Sequence, residues 1–368
     1  MDLQIYWWCV LSLLGGLFVF MLFVGGGQSL LFCVGWDETA KDLIINALGR
    51  KWELSFTTLV MFGGAAFAAF PLFYASYFGG AYWLWLAILF CFIVQAVSYE
   101  YRKKKSNFLG QRTYEAFLVI NGTLGTFLIG VTLSALFGGA EFSLSEMRFV
   151  SWDSPWRGLE LLASPSYWLL GLALIFLSRL GGAMYFINRI DEPNLVAKCA
   201  SIIRKEAALF LLFFLGFMGV FFSANGYYLD ATSGEILSRP YALALSLISL
   251  PVLGVCFVLG VVGVLASVWL GARASKVAIW AYGVGCVLVG FALLAAAGLG
   301  GAAFFASTSH PASSLHIYNA SSSPYTLGVM AWVSLLVPFV LAYIAYVWRA
   351  LEREQVSKAE LESSEHKY

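Results

Sequence analysis

The chain has 368 residues, 60% of them apolar and only 12% charged, and its mean hydropathy of +0.80 lies far outside the range of soluble globular proteins. A net charge of +1 removes any case for nucleic-acid binding, and six scattered cysteines without C-x-x-C spacing offer neither a metal nor a redox motif. What remains is an all-α, polytopic membrane protein forming one integral-membrane domain over 1–368, with no soluble part large enough to fold alone.

Windows of about 20 apolar residues give nine spans, at roughly 6–26, 54–77, 80–98, 114–137, 166–188, 206–225, 243–270, 277–302 and 327–348. The first lacks a basic leader and a small-residue cleavage site, so it stays as a span. After it, acids at Asp37 and Glu38, apolar residues at 43, 44, 47 and 48 and a closing Gly49 predict a short interfacial helix that delivers the chain to Trp52 and Glu53. The second span is rich in small residues (Gly63, Gly64, Ala65, Ala66, Ala68, Ala69), which predicts close approach of a neighbouring helix, and Pro71 bends or ends it. Phe78-Gly79-Gly80 is the tight link to the third span.

Tyr99–Lys105 reads as a basic anchor facing anionic lipid. Glu115 and Glu206 read as ordinary acids at helix starts. Trp152, Trp156, Tyr167 and Trp168 read as an interfacial aromatic belt, and the tail 349–368 as charged, soluble and poorly ordered at its end. Of the 22 Lys and Arg residues, eighteen fall in alternate loops and the tail, three in the opposite loops (Arg148, Arg157, Arg239) and one, Arg179, within the fifth span. The positive-inside rule then sets the N-terminus in the periplasm and the C-terminus in the cytoplasm.

Haem iron needs an axial ligand, most often His. The three histidines, His310, His316 and His366, all fall outside the spans, which removes a bis-His haem from this chain; Met21, Met61, Met184, Met218 and Met330 read as core filler. The costly residues are charges at or within spans. Glu53 stands at the mouth of the second span beside Ser55, Thr57 and Thr58, where a carboxyl can exchange protons along a hydroxyl or water chain. Against this stands an ordinary N-terminal acid, and Leu54 and Phe56 cannot pass protons. Arg179 serves an intersubunit acid, a lipid or quinone head group, or a local partner.

Trp52-Glu53, then Gly63-Gly64-Ala65-Ala66-Phe67-Ala68-Ala69-Phe70-Pro71 and Tyr74-Ala75, resemble the signature of subunit II of the cytochrome bd quinol oxidases, W-D-G-N-E/Q-V-W followed by G-G-A-x-F-A-A-x-P-x-x-Y-A. Tyr99-Glu100-Tyr101-Arg102 is similar to the family's F-D-Y-R, and Gly182–Tyr185, Tyr318–Ser323 and Leu327–Trp332 resemble it more weakly. The chain departs from the family where D-G-F-D becomes Gly25-Gly26-Gly27-Gln28 and where a family arginine becomes Gln95, so roles tied to those groups do not carry over.

The resemblance implies two four-helix bundles, spans 1–4 and 5–8, with the ninth span peripheral, in a bacterial inner membrane. It implies a haem-bearing subunit I with haem b, haem d and the quinol site, and a proton path from the cytoplasm at the position of Glu53, to which the nearby hydroxyls of Ser55, Thr57 and Thr58 are added here as candidates. Trp52 and Arg179 become candidate cofactor or subunit contacts. A bound quinone and a small single-span subunit stay open. Competing classes are a transporter, for which paired intramembrane charges are missing from the sequence pattern, and a haem-free anchor of another quinone-linked complex.

Overall fold

In a bilayer every backbone polar group must be satisfied within the protein, so the apolar segments fold as helices. The computed structural model describes residues 2–230, 233–352 and 355–357. Among the described residues nine helices are long and apolar enough to cross a membrane: Leu3–Ser29 (span 1), Glu38–Ala69 (span 2), Tyr82–Tyr101 (span 3), Gln111–Gly138 (span 4), Pro165–Arg189 (span 5), Pro193–Ser223 (span 6), Pro251–Gly271 (span 7), Ala278–Gly298 (span 8) and Pro324–Ala350 (span 9).

Three boundaries differ from the sequence windows for physical reasons. Span 6 begins at Pro193, because the helix continues through Lys198, Arg204 and Lys205, which a hydropathy window rejects. Glu206 is therefore mid-helix and buried, not at a helix start. Span 7 begins at Pro251, where the proline separates it from a short helix, Ala242–Ser249. Span 2 is broken at Arg50 and Lys51 into Glu38–Gly49 and Trp52–Ala69. The first piece is capped by Asp37, whose side chain accepts from Ala40 N at 2.7 Å. The apolar face of that piece packs on the protein rather than standing free for lipid, since Leu43, Ile44, Ala47 and Leu48 are fully buried. Phe70 leaves helical geometry just before Pro71, and a π-helical turn, Ala75–Gly79, completes the link to span 3.

The closest helix contacts fall elsewhere than in the small-residue run of span 2, where a Cβ on Gly64 would meet nothing within 4 Å. They lie along span 1. A Cβ on Gly26 would stand 1.9 Å from the Ser178 carbonyl, and one on Gly182 would stand 2.4 Å from Gly27 N, so spans 1 and 5 touch backbone to backbone. Higher up, a Cβ on Gly290 would come 2.8 Å from Gly16 Cα, bringing span 8 equally close. Span 1 is thus a spine gripped by spans 5 and 8, and Trp8 closes its far end by donating to the carbonyl of Leu294 at 3.1 Å and stacking on Phe304.

The loops gather at two ends. At the end opposite the basic loops, two small antiparallel hairpins form, pairing Phe142–Leu144 with Val150–Trp152 and Asn225–Leu229 with Ile236–Pro240. Hydropathy and loop composition point to neither. Nearby, Ala140 N donates to the Ala306 carbonyl and Thr308 N to the Ala140 carbonyl, and Trp152 is no belt residue. It is buried, donates to the Ser76 carbonyl at 3.0 Å and lies over Phe142. Trp156 and Trp168 do stay exposed.

In the loop between spans 8 and 9, His316 Nδ1 accepts from the backbone N–H groups of Tyr318 and Asn319, each at 3.3 Å. Burial pushes the imidazole below its ordinary range, and a proton on Nδ1 would face two donors. The depressed value means that the neutral ring stabilises the loop at pH above about 6.5 and that this support is lost as pH falls through the lower folded value. Protection of the Tyr318 and Asn319 amides, taken relative to their intrinsic exchange rate at each pH, is expected to fall on acidification, and His316→Asn to flatten that dependence; protection factors unchanged from about pH 7.5 to about 5 contradict it.

Candidate functional site

A helix turns about 100° per residue, so Glu53 and Thr57 fall on one face and Ser55 and Thr58 on another. Glu53 and Thr57 are exposed, in line with Met61, Gly64 and Phe67, whereas Ser55 and Thr58 are buried with Phe62 and Ala66. Thr58 donates to its own helix at Leu54 O, 2.6 Å away. The four residues expected on one proton path are therefore two pairs, one facing outward and one facing inward.

Trp52 is half-buried and stacks on Tyr99 of span 3, with ring centroids 5.6 Å apart and an interplanar angle of 14°. Behind it lies a set of buried amides that sequence reasoning did not assemble. Gln28 Nε2 donates to Tyr99 Oη at 3.0 Å, and Asn121 Nδ2 donates to Gln28 Oε1 at 2.8 Å. Trp52 Nε1, Gln95 Oε1 and Asn121 Oδ1 are buried and have no hydrogen-bond partner among the described residues. Gln28 and Gln95 stand out in the sequence as departures from the family pattern, yet only the fold joins Gln28 to Asn121, which opens a π-helical turn in span 4.

Arg179 is held within the chain. Its Nε and Nη2 donate to Glu206 Oε2 and Oε1 at 2.8 and 2.7 Å, a bidentate pair between spans 5 and 6, and Nη1 reaches the Ser29 carbonyl at 3.3 Å. Two parallel charge-assisted bonds make this the strongest kind of intramembrane ion pair. The guanidinium thus meets a carboxylate from span 6 and the end of span 1 together.

A second cluster lies at the basic end. Arg102, fully buried, donates to Glu115 Oε1 from Nε and Nη2 at 3.1 and 2.7 Å, and to Asp42 Oδ1 at 2.8 Å. Lys41 bonds Glu115 Oε2 at 3.0 Å and Glu38 at 2.9 Å. Glu115 is therefore the hub of a buried network, not a helix-start acid. Lys103 pairs with Asp42 and Lys104 with Glu100, so the basic run serves the protein's own carboxylates as well as any lipid.

His310 and His316 sit in a loop, His366 lies outside the described residues, and among the described residues no three His, Cys, Asp or Glu side chains are grouped to hold a metal. An apolar cavity between spans 1, 4, 5, 6, 7 and 8, lined by Val19, Phe137, Leu174, Phe214, Val264 and Leu293 among others, has the lining an acyl or isoprenoid chain requires and no polar side chain for a quinone ring.

A family model described as cytochrome bd terminal oxidase subunit II matches residues 3–351. The cytochrome bd-I ubiquinol oxidase subunit 2 of Escherichia coli (strain K12) is 28% identical over 99% of this chain and 98% of its own length. The cytochrome bd ubiquinol oxidase subunit 2 of Bacillus subtilis (strain 168) is 24% identical over 88% of this chain and 87% of its own. The solved bd oxidase from Geobacillus thermodenitrificans covers 95% of this chain, and 99% of that chain, with a TM-score of 0.66 at 15% identity, a likeness of fold. These relatives lend no support to a transporter or to an anchor of another complex.

Removing one partner of a buried ion pair strands the other's charge, which costs about 3–5 kcal/mol, whereas replacing both with apolar groups costs far less. Glu206→Gln and Arg179→Leu are each expected to lower the thermal stability of the purified protein markedly, and Arg179→Leu with Glu206→Leu to recover most of it. Equal, additive losses in a melting experiment would show that the pair does not fasten spans 5 and 6.

Proposed function

The chain belongs to the cytochrome bd terminal oxidase subunit II family, and from that premise we propose how its own residues serve the enzyme. It is an integral, multi-pass subunit of a bd-type oxidoreductase of respiratory electron transport, in a bacterial inner membrane. Its partner, on our reading, is a haem-bearing subunit I in which quinol is oxidised and oxygen is reduced to water. Haems b and d there supply the electron transfer and the oxygen chemistry. This chain supplies scaffold and a proton entry. A small single-span subunit would complete the complex without contributing to that entry.

The observation that carries the reading is the outward face of span 2. Glu53 and Thr57 point away from the chain's own core, at the end where the basic loops gather. We take that end to be cytoplasmic, as the charge count requires. A carboxylate at this position accepts a proton from the aqueous side and passes it to groups of the partner seated against the same face, with Thr57 one turn further in as the next hydroxyl. Ser55 and Thr58 face inward and support the turn, and Trp52, stacked on Tyr99, fixes its rotation. Arg179 is satisfied by Glu206 and acts on spans 5 and 6. A quinone bound in this chain would lay its tail in the apolar cavity.

Proton transfer by a positioned carboxyl contributes roughly 10²–10⁴-fold. Glu53→Gln is expected to lower quinol-driven oxygen uptake of the complex by at least about tenfold, Glu53→Asp to retain most of it, and Thr57→Val to give a smaller loss. Unchanged uptake in Glu53→Gln, with normal assembly, removes Glu53 from the proton path.

A further inference from the structure

Lys51 precedes Trp52 and Glu53, and its side chain is fully buried at the break between the two pieces of span 2. An ammonium there must be neutralised. Among the described residues the carboxylate within reach is Glu352, whose Oε1 lies 3.3 Å from Nζ, and the same Nζ stands 3.7 Å from the centre of the Trp348 ring. Nζ donates no hydrogen bond of good geometry among the described residues, so the tie is charge to charge and charge to ring. Glu352 is itself fixed by Trp348 Nε1, which donates to Oε2 at 2.7 Å, and by Arg189, which donates to its backbone carbonyl at 2.9 Å. The other charged and titratable groups around the pair are the Arg189 and Arg50 guanidiniums and the Tyr185 hydroxyl, 3.5 Å from Oε1.

Glu352 ends the helix of span 9, which has little other contact with the chain: nearly every residue of Val337–Ala350 with a described side chain is exposed or half-buried. Further along the chain, residues 355–357 lie against the basic end. Val356 is buried and exchanges backbone bonds with the turn between spans 5 and 6, its N–H donating to Arg189 O at 2.8 Å and its carbonyl accepting from Asp191 N at 3.0 Å. Gln355 bonds Asn188 O and Lys276 Nζ, each at 3.0 Å. The carbonyl of Lys51 accepts from Ser55 N at 3.3 Å, the bond that starts the helix carrying Glu53. Whatever fixes Lys51 fixes that first turn.

We infer that Glu352 is a positioning residue: as counter-ion to Lys51 it ties the end of span 9 to the break in span 2, beside the contacts of Gln355 and Val356, and so holds the turn that presents Glu53. The effect on turnover rests on the role of Glu53 given above; the tie itself does not.

The test uses the intact complex, with hydrogen exchange at the Ser55 and Val356 amides and oxygen uptake at varied quinol. Glu352→Gln is expected to raise exchange at both amides and lower maximal uptake by roughly three- to tenfold with KM for quinol unchanged. Glu352→Asp, which keeps the charge, restores most of both. Lys51→Met combined with Glu352→Gln recovers part of the loss, because no stranded ammonium remains. If Glu352→Gln fails to assemble, the double variant decides in its place: its assembly supports the tie, and its failure overturns it. Exchange at Ser55 that stays unchanged in Glu352→Gln, or a double variant no better than the single one, likewise overturns the proposal. Should Glu53→Gln leave uptake intact, the Glu53 reading has failed, and the exchange response alone decides whether Glu352 holds the mouth of span 2.

Discussion

Backbone contact between spans 1 and 5 sets the rest of the packing. Apolar side chains gain nothing by leaving lipid for one another, so helices associate where small residues let their backbones meet. Gly26 and Gly27 on one side and Ser178 and Gly182 on the other leave no room for an added Cβ. That approach puts Arg179, the neighbour of Ser178, against the end of span 1 and within reach of Glu206. It also sets Tyr185 against Phe23 and lets its hydroxyl reach the Ala47 carbonyl, carrying the contact to the helix that precedes span 2.

Charge is handled at the basic end by consolidation. Three carboxylates, Glu38, Asp42 and Glu115, meet Lys41, Arg102 and Lys103 in one network, and Glu352 gathers Lys51 and Arg189 in another. The first network sits on Glu38–Gly49, the piece of span 2 before the break, and the second on Lys51 at the break, while Glu53 stays on the outward face. On our reading, a rigid mouth is what lets one carboxyl be placed against a partner.

The spans and their two ends are plain in the sequence, because hydropathy and the count of basic residues need no knowledge of neighbours. The family pattern also draws the eye to Trp52 and Glu53, whose roles are our proposal. Pairing is not. Glu206 looks like a helix start because Lys198, Arg204 and Lys205 hide the turns of helix before it, and nothing local relates it to Arg179. Glu115 and Arg102 meet only after the chain reverses between spans 3 and 4. The small-residue run of span 2 says that a helix can be approached without saying by what: Gly63, Ala66 and Ala69 are buried, while Gly64 is exposed. Glu352 belongs to a charged tail that composition marks as loose, and its hold on Lys51 exists only once span 9 has returned to the basic end.

On our reading this chain contributes structure and a proton entry to an oxidase whose electron carriers belong to a partner. The most direct measurement is a reduced-minus-oxidised spectrum of the complex isolated through a tag on the N-terminus of this chain, with quinol-dependent oxygen uptake on the same sample. Haem signals with oxygen uptake in the complex, both lost when the partner is stripped away from an intact, folded chain, are the predicted result. A haem spectrum retained by the isolated chain, or a stable complex with neither haem nor oxygen uptake, would contradict it.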